Sequence, residues 1–315
     1  MRSSCLWLSI LFTTTFLTAG CQSTRSFFDS WRHRNPPPPV AIIQNNASVY
    51  EIVEIVNRQN QQIQSLSSVN GSISMPQTPP LAAEIQYFRP NYLHLTAKTH
   101  VTGKEMDMGQ NSDLFWFWVA RNSCPGVYYC RHEEFYRSNA RDYVPIDPNW
   151  VVDALGLNLL DPNAPWEGPT LVGDGAYIEL RLREQQPQGQ ATRQILVNRF
   201  TGTIAAQRIY DGNGVLLVDA TVRKNRRDSL TGLTIPQKID ISVPKEEFKM
   251  TLDLGAPDLN SLSSTALNSW NIPQNLGAPL VNLAQQPPRN NSMASERRNS
   301  FKPIVGFNKS SHQQY

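Results

Sequence analysis

The sequence predicts an α+β protein whose body is an antiparallel meander of about nine to eleven strands. Between residues 92 and 254 most segments alternate apolar and polar residues, which is the period of a strand. Turn signals separate these segments, the strongest being Asp211-Gly212-Asn213-Gly214. A helical period occurs ahead of the meander and again, briefly, within it. Strands do not alternate regularly with helices, so a parallel α/β sheet is not supported.

An amphipathic helix is predicted from about 48 to 65, directly before the meander. Ser48-Val49-Tyr50-Glu51 is a capping box, in which Ser48 caps the amide of Glu51 and Glu51 reaches back. Apolar residues then recur at the helical period: Val49, Ile52, Val53, Val56, Ile63 and Leu66. We expect this stripe to face the sheet.

The most aromatic strand is predicted at 114–119, with the sequence Leu-Phe-Trp-Phe-Trp-Val. Alternate residues of a strand face opposite sides, so Trp116 shares one face with Trp118 and Phe115 shares the other with Phe117. Neither face is polar, and we therefore expect both to be covered.

An insertion is predicted at 131–170, where the strand period is lost. Asp147-Pro148 resembles an N-cap followed by Pro at the first helical position, and a short helix would run from Asn149 to Leu155 and stop at Gly156. Its apolar residues predict that it packs on the sheet as a lid: Trp150, Leu155, Leu157, Leu159, Leu160 and Trp166.

The first twenty residues are predicted to be a signal peptide, with Arg2 before a short apolar stretch and small residues at its end. Ala19-Gly20-Cys21 resembles a bacterial lipobox, in which Cys21 would be acylated and anchor the chain to a membrane. This places the protein in the cell envelope, with the outer membrane facing the periplasm favoured. The alternative is an ordinary secretory signal followed by an incidental cysteine.

The remaining chain is predicted to form three parts. Residues 21–47 form a lipidated N-terminus and tether that contains Pro36-Pro37-Pro38-Pro39. Residues 48–271 form the β domain. Residues 272–315, rich in Pro, Asn, Gln and Ser, are predicted to be disordered.

Two further cysteines, Cys124 and Cys130, flank a Pro-Gly turn. In an oxidising compartment they could form a disulfide, or they could stay reduced under a loop. A zinc site is disfavoured because no second cysteine pair has ligand spacing.

The sequence gives little indication of nucleic-acid binding, metal binding or catalysis. A net charge of +3 gives no concentrated basic face for nucleic acid. His94 and His100 are interpreted as exposed strand residues rather than metal ligands. The sequence has no HExxH motif, no GxSxG nucleophile elbow and no P-loop. No cofactor and no enzymatic activity are therefore predicted. The basic stretch 223–227 could touch anionic headgroups, but a solvated hairpin tip is the preferred interpretation.

One helix and a short lid are not expected to fill the apolar face of such a sheet completely, which would leave an apolar cavity. The tryptophans are expected to share this face with the other inward residues. The candidate cavity residues are Leu93, Leu95, Leu114, Trp116, Trp118, Ile178, Leu180, Leu182, Leu216 and Val218.

Several short motifs resemble the LolA/LolB-like periplasmic lipoprotein carriers and receptors. They are Arg89-Pro90-Asn91-Tyr92-Leu93-His94-Leu95, the aromatic strand Phe115-Trp116-Phe117-Trp118, and Pro236-Gln237-Lys238-Ile239 before a final apolar strand. The resemblance spans roughly residues 48–260. It implies an unclosed antiparallel β-barrel whose concave face is covered by helices and whose cavity takes acyl chains of lipoproteins. The predicted anchor is similar to that of the receptor branch.

Three functions follow as hypotheses. The first is a lipid-anchored module that binds an acyl chain or another apolar ligand, with a role in lipoprotein or lipid trafficking. The second is a structural or envelope-assembly lipoprotein without a ligand cavity. The third, an enzyme, would need a cleft with convergent polar groups.

Overall fold

The computed structural model describes residues 40–120, 124–144, 149–186, 189–263 and 270–288. The predicted signal peptide, Cys21 and most of the predicted tether lie outside these residues. Within them the chain forms three α-helices: α1 (Val49–Asn60), α2 (His132–Phe135) and α3 (Asn149–Ala154). No helix of the described part is long and apolar enough to cross a membrane.

Fifteen strands are present in the same residues. They are β1 (Ser65–Ser74), β2 (Leu81–Phe88), β3 (Tyr92–Thr99), β4 (Gly103–Gln110), β5 (Leu114–Val119), β6 (Val127–Arg131), β7 (Glu167–Val172), β8 (Tyr177–Gln186), β9 (Gly189–Asn198), β10 (Ile204–Asp211), β11 (Leu216–Arg227), β12 (Thr234–Val243), β13 (Phe248–Asp253), β14 (Asp258–Leu259) and β15 (Leu280–Asn282).

The strands form one sheet in the order β15-β6-β5-β4-β3-β2-β1-β13-β12-β11-β10-β9-β8-β7, with β14 paired beside β1. All pairs are antiparallel except β15 with β6, and the sheet does not close. The predicted fold class, an unclosed antiparallel β-barrel with an α+β composition, is confirmed. The sheet has more strands than predicted. Two of the additional strands, β1 and β7, contain Asn, Gly or Pro, which have low strand propensity.

The inner face of the sheet, defined by Leu93 and Leu95 of β3, is covered in three places. Helix α1 lies against β8, β9 and β10. The segment around α3 packs on β1 to β3 and on β11 to β13. Helix α2 and Leu283 cover β5 and β6. The opposite, outer face carries His94 and Thr96 of β3.

Helix α1 begins as predicted, with the capping box closed in both directions between Ser48 and Glu51. It buries Ile52, Val53 and Val56, and it ends at Asn60 rather than near 65. Gly202 in the β9–β10 turn lies so close to α1 that a Cβ there would be 2.6 Å from Gln59 Nε2. Its φ of +66° also favours glycine.

The folded part extends beyond two predicted boundaries. Ile43, within the predicted tether, is fully buried in the α1 cluster, and its amide donates to the carbonyl of Arg199. The predicted disorder from 272 does not hold for 280–282, which pair with β6 as β15. Leu283 follows them into the core with no exposed surface. Residues 289–315 lie outside the described part.

Candidate functional site

The predicted lid is a segment that plugs the inner face. We call residues 149–160 the plug segment. Its apolar side chains are each no more than 3% exposed: Trp150, Val152, Ala154, Leu155, Leu157 and Leu160. Helix α3 ends at Ala154, and Gly156 has a φ of +69°, so the predicted stop at this glycine is confirmed. The predicted Asp147-Pro148 cap lies outside the described residues.

Helix α1 holds the far end of the plug segment through Asn57. Its Nδ2 donates to the carbonyl of Leu160 at 2.7 Å, and its Oδ1 accepts from the amide of Leu160 at 2.8 Å. Both residues are buried. The asparagine therefore satisfies a backbone donor and acceptor that no strand or helix pairs.

Asn60 and Arg89 hold the middle of the segment at the end of α1. Asn60 Nδ2 donates to the carbonyls of Gly156 and Asn158. Arg89 Nη2 donates to the carbonyl of Leu157 at 2.9 Å and to that of Asn60 at 2.7 Å. Arg89 Nε also donates to the carbonyl of Ile63 at 3.1 Å. A single guanidinium thus joins the open carbonyls of α1 to the plug segment.

The sheet holds the near end of the segment through polar residues on its inner face. Arg193 Nη1 lies 2.9 Å from Asp153 Oδ2, with both side chains mostly buried. Gln207 Nε2 donates to the carbonyl of Asp153, and Gln110 Nε2 lies 3.3 Å from Asn149 Oδ1. The plug segment is therefore attached by side-chain hydrogen bonds and apolar contacts, whereas the strands are attached by backbone ladders.

The candidate cavity residues are divided by the fold. Leu93, Leu95 and Val218 are buried in the cluster that contains the plug segment. Ile178 and Leu180 are buried under α1. Four other candidates are half-buried: Leu114, Trp118, Leu182 and Leu216.

The expectation that Trp116 and Trp118 face inward is wrong. Leu95 pairs with Met108, and Met108 pairs with Phe117, so the inner residues of β5 are the phenylalanines. Phe115 packs edge-on against Phe135 of α2 with ring centroids 5.6 Å apart. On the outer face only Trp116 is fully buried, whereas Leu114 and Trp118 are half-buried, so this face is covered in part.

Trp116 lies on the outer face, over Gly109 of β4, and is 1% exposed. A Cβ at Gly109 would be 2.5 Å from the indole ring, so this contact requires glycine. The indole Nε1 donates to Asp107 Oδ1 at 3.1 Å. The tryptophan therefore serves a polar cluster on the outer face and not an inner apolar wall.

Asp107 is the centre of this cluster, and its side chain has no exposed surface. His94 Nε2 lies 3.1 Å from Oδ1, and Lys104 Nζ lies 2.7 Å from Oδ2. Burial alone would raise the pKa of Asp107, but the hydrogen bonds from His94 and Lys104 outweigh it, and the pKa lies below its ordinary value. The carboxylate thus stays charged inside the protein. Among the described residues, no group of three or more His, Cys, Asp or Glu could hold a metal ion.

Cys124 and Cys130 are not joined by a disulfide in the structure. Cys124 is exposed, whereas Cys130 is fully buried beside Phe115 and Phe135. Burial raises the pKa of the Cys130 thiol to about 11. The two thiols are separate, as in the reduced alternative, but Cys124 is exposed rather than packed under a loop.

Comparison with known proteins gives structural neighbours only. No protein-family model and no curated protein matches the chain. A DUF1329 family protein from Desulfovibrio piger is 14% identical, with a TM-score of 0.45, over 69% of this chain and 95% of that chain. A LolA superfamily protein from Nitrosomonas europaea is 13% identical, with a TM-score of 0.44, over 70% and 97%.

Sequence reasoning missed the polar residues that hold the plug segment. Asn57 and Asn60 follow Val53 and Val56 by four residues each, so they lie on the apolar stripe of α1. A polar residue on such a stripe signals a buried partner, and this signal could have identified both asparagines. Arg89 stands in a turn before a proline, where nothing in its local pattern indicates its partners.

Proposed function

We propose that the protein is an envelope lipoprotein that binds an acyl chain, or an apolar ligand of similar shape, on the inner face of its sheet. The observation that supports this proposal is the way the plug segment is attached. It covers the inner face with apolar side chains, and polar side chains donate the hydrogen bonds that hold its backbone to α1 and to the sheet. Such a cover can leave without breaking a backbone ladder of the sheet.

The plug segment and a bound acyl chain would contribute comparable free energies by burying apolar surface. Burying a Leu, Val or Trp side chain contributes about 1.5–3 kcal/mol, so five such side chains contribute on the order of 10 kcal/mol. An acyl chain of about fourteen buried methylenes, at ~0.8 kcal/mol each, contributes a similar amount. Exchange of the plug segment for an acyl chain would therefore be close to balanced, which suits a site that must both take and release its ligand.

The proposal places the protein on a membrane through an acylated Cys21, with the outer membrane facing the periplasm favoured. The lipobox-like Ala19-Gly20-Cys21 supports this anchor. The ligand is expected to be an acyl chain of a lipid or a lipoprotein, and the protein is expected to bind it without chemical change.

Binding can be tested on the chain with Cys21→Ser, so that its own acyl chains do not interfere. Lipids co-purifying with the protein are extracted and identified, and a fluorescent fatty acid is titrated. Leu157→Ala weakens the plug segment as a competitor, so this variant should bind the probe several-fold more tightly. Thr96→Ala on the outer face is the control and should bind as the parent does.

The structural hypothesis predicts a different result. If the inner face is only a packed core, neither the parent nor Leu157→Ala binds the probe, and Leu157→Ala merely loses stability. That outcome would replace ligand binding by an envelope-assembly role.

A further inference from the structure

The hairpin between β11 and β12 ends in an apolar apex that no protein contact covers. We call residues 223–233 the basic tip. Leu230 stands at its apex with 93% of its surface exposed, and its neighbours Ser229 and Thr231 are also exposed. A single exposed leucine is common on protein surfaces, so the charges on the same hairpin decide what it can contact.

The turn that presents Leu230 is fixed by hydrogen bonds. The amide of Asp228 donates to the carbonyl of Leu233 at 2.8 Å, and the amide of Gly232 donates to the carbonyl of Asp228 at 2.9 Å. Asp228 Oδ2 accepts from the amide and the hydroxyl of Thr231, each at 2.7 Å. Leu233 is 9% exposed and anchors the turn in the core. The apex is therefore held outward.

Basic residues of β11 precede this apex in the sequence. Arg223 forms an ion pair with Asp240 at 2.6 Å, but no carboxylate of the described residues forms an ion pair with Lys224, Arg226 or Arg227. Lys224 and Arg227 are exposed, and Arg226 is half-buried. Counted together with Asp228, the one carboxylate of the tip, these cations leave a net positive charge on the segment that carries the apolar apex.

We propose that the basic tip is a contact site for an anionic phospholipid surface. The cations would bind headgroup phosphates, and Leu230 would enter the boundary between headgroups and acyl chains. A lipid surface fits better than a protein partner, because a protein interface needs a broad complementary area, whereas a bilayer accepts any protruding apolar side chain. This contact is independent of acyl-chain binding on the inner face and of the anchor at Cys21.

The test uses the chain with Cys21→Ser and co-sedimentation with vesicles of phosphatidylcholine that contain about 30% phosphatidylglycerol. Each cation near such a surface contributes roughly a fivefold change in partitioning, so Lys224→Gln, Arg226→Gln and Arg227→Gln together should weaken binding about 100-fold at low salt. Leu230→Ser should weaken it about tenfold. Pure phosphatidylcholine vesicles should bind little of any form.

A matched control removes the same charge elsewhere through Arg137→Gln, Lys245→Gln and Lys249→Gln, all at exposed residues. This control should keep nearly full binding. Leu230→Trp provides a second readout, because the fluorescence of the introduced indole should shift to the blue on anionic vesicles. Equal loss in both triple variants, no binding by the parent, or no shift of that fluorescence would each overturn the proposal.

Discussion

Asn57 of α1 and Leu160 of the plug segment are joined like two residues of a sheet. The side-chain amide of Asn57 donates to the carbonyl of Leu160 and accepts from its amide, at 2.7 and 2.8 Å. Asn57→Ala would leave both buried backbone groups unpaired, and we expect the free energy of unfolding to fall by about 2–4 kcal/mol. Urea unfolding measures this change.

A matched control for this pair is Gln62→Ala. Gln62 is exposed, and its side chain donates to the carbonyl of Arg58 near the end of α1, so loss of this side chain should change the stability by less than about 0.5 kcal/mol. Equal effects of the two substitutions would mean that the Asn57–Leu160 pair contributes nothing specific.

Arg89→Leu should release the plug segment from α1. The substitution removes the donors to the carbonyls of Asn60, Ile63 and Leu157. We expect amide hydrogen exchange to accelerate at least tenfold in residues 149–158 while the strands β8 to β10 stay protected. Exchange followed by mass spectrometry resolves these peptides. Arg58→Leu on α1 is the control and should leave the exchange unchanged. Faster exchange throughout the sheet would contradict a local role of Arg89.

Acid should destabilise the protein partly through Asp107. Its pKa is lowered in the folded state, so its stabilising effect is complete above the unfolded pKa of about 4 and is lost as pH falls through the folded value. Thermal unfolding between about pH 6 and pH 3 should therefore depend less on pH in Asp107→Asn than in the parent. Asp113→Asn, at an exposed ion pair with Arg131, should keep the parental dependence.

The two cysteines should differ in reactivity. At about pH 8 Cys124 should react with iodoacetamide, whereas Cys130 should not, because it is buried and its thiol pKa is raised to about 11. Mass spectrometry of the labelled peptides reads both sites. Protection of both cysteines that is lifted by a reductant would instead support a disulfide.

Much of the fold could be predicted from period and turn residues. The capping box at Ser48 and the hairpin after Asp211 are local features, and both have the predicted structure. The face of each residue in β5 could not be predicted, because all six residues are apolar and period alone does not choose between two apolar faces. Gly109 determines which face Trp116 takes, since only a glycine leaves room for the Trp116 ring on the outer side.

The site was predicted only in part for a similar reason. Apolar residues such as Leu155 and Leu157 showed that the insertion packs down. The partners of its backbone are between 54 and 103 residues away in sequence, as for Gln207 with Asp153 and Asn57 with Leu160. Such long-range hydrogen bonds do not produce a periodic pattern in the sequence. The partners that attach the plug segment are therefore visible only in the tertiary structure.

The open sheet also has a consequence at high protein concentration. A sheet that does not close has two edges, and each could pair with the edge of another copy. At one edge β15 has only three residues. At the other edge β7 contains Pro169, which cannot donate a hydrogen bond, and the exposed charge of Glu167. Many copies could therefore lie close together in solution without joining edge to edge into a fibre.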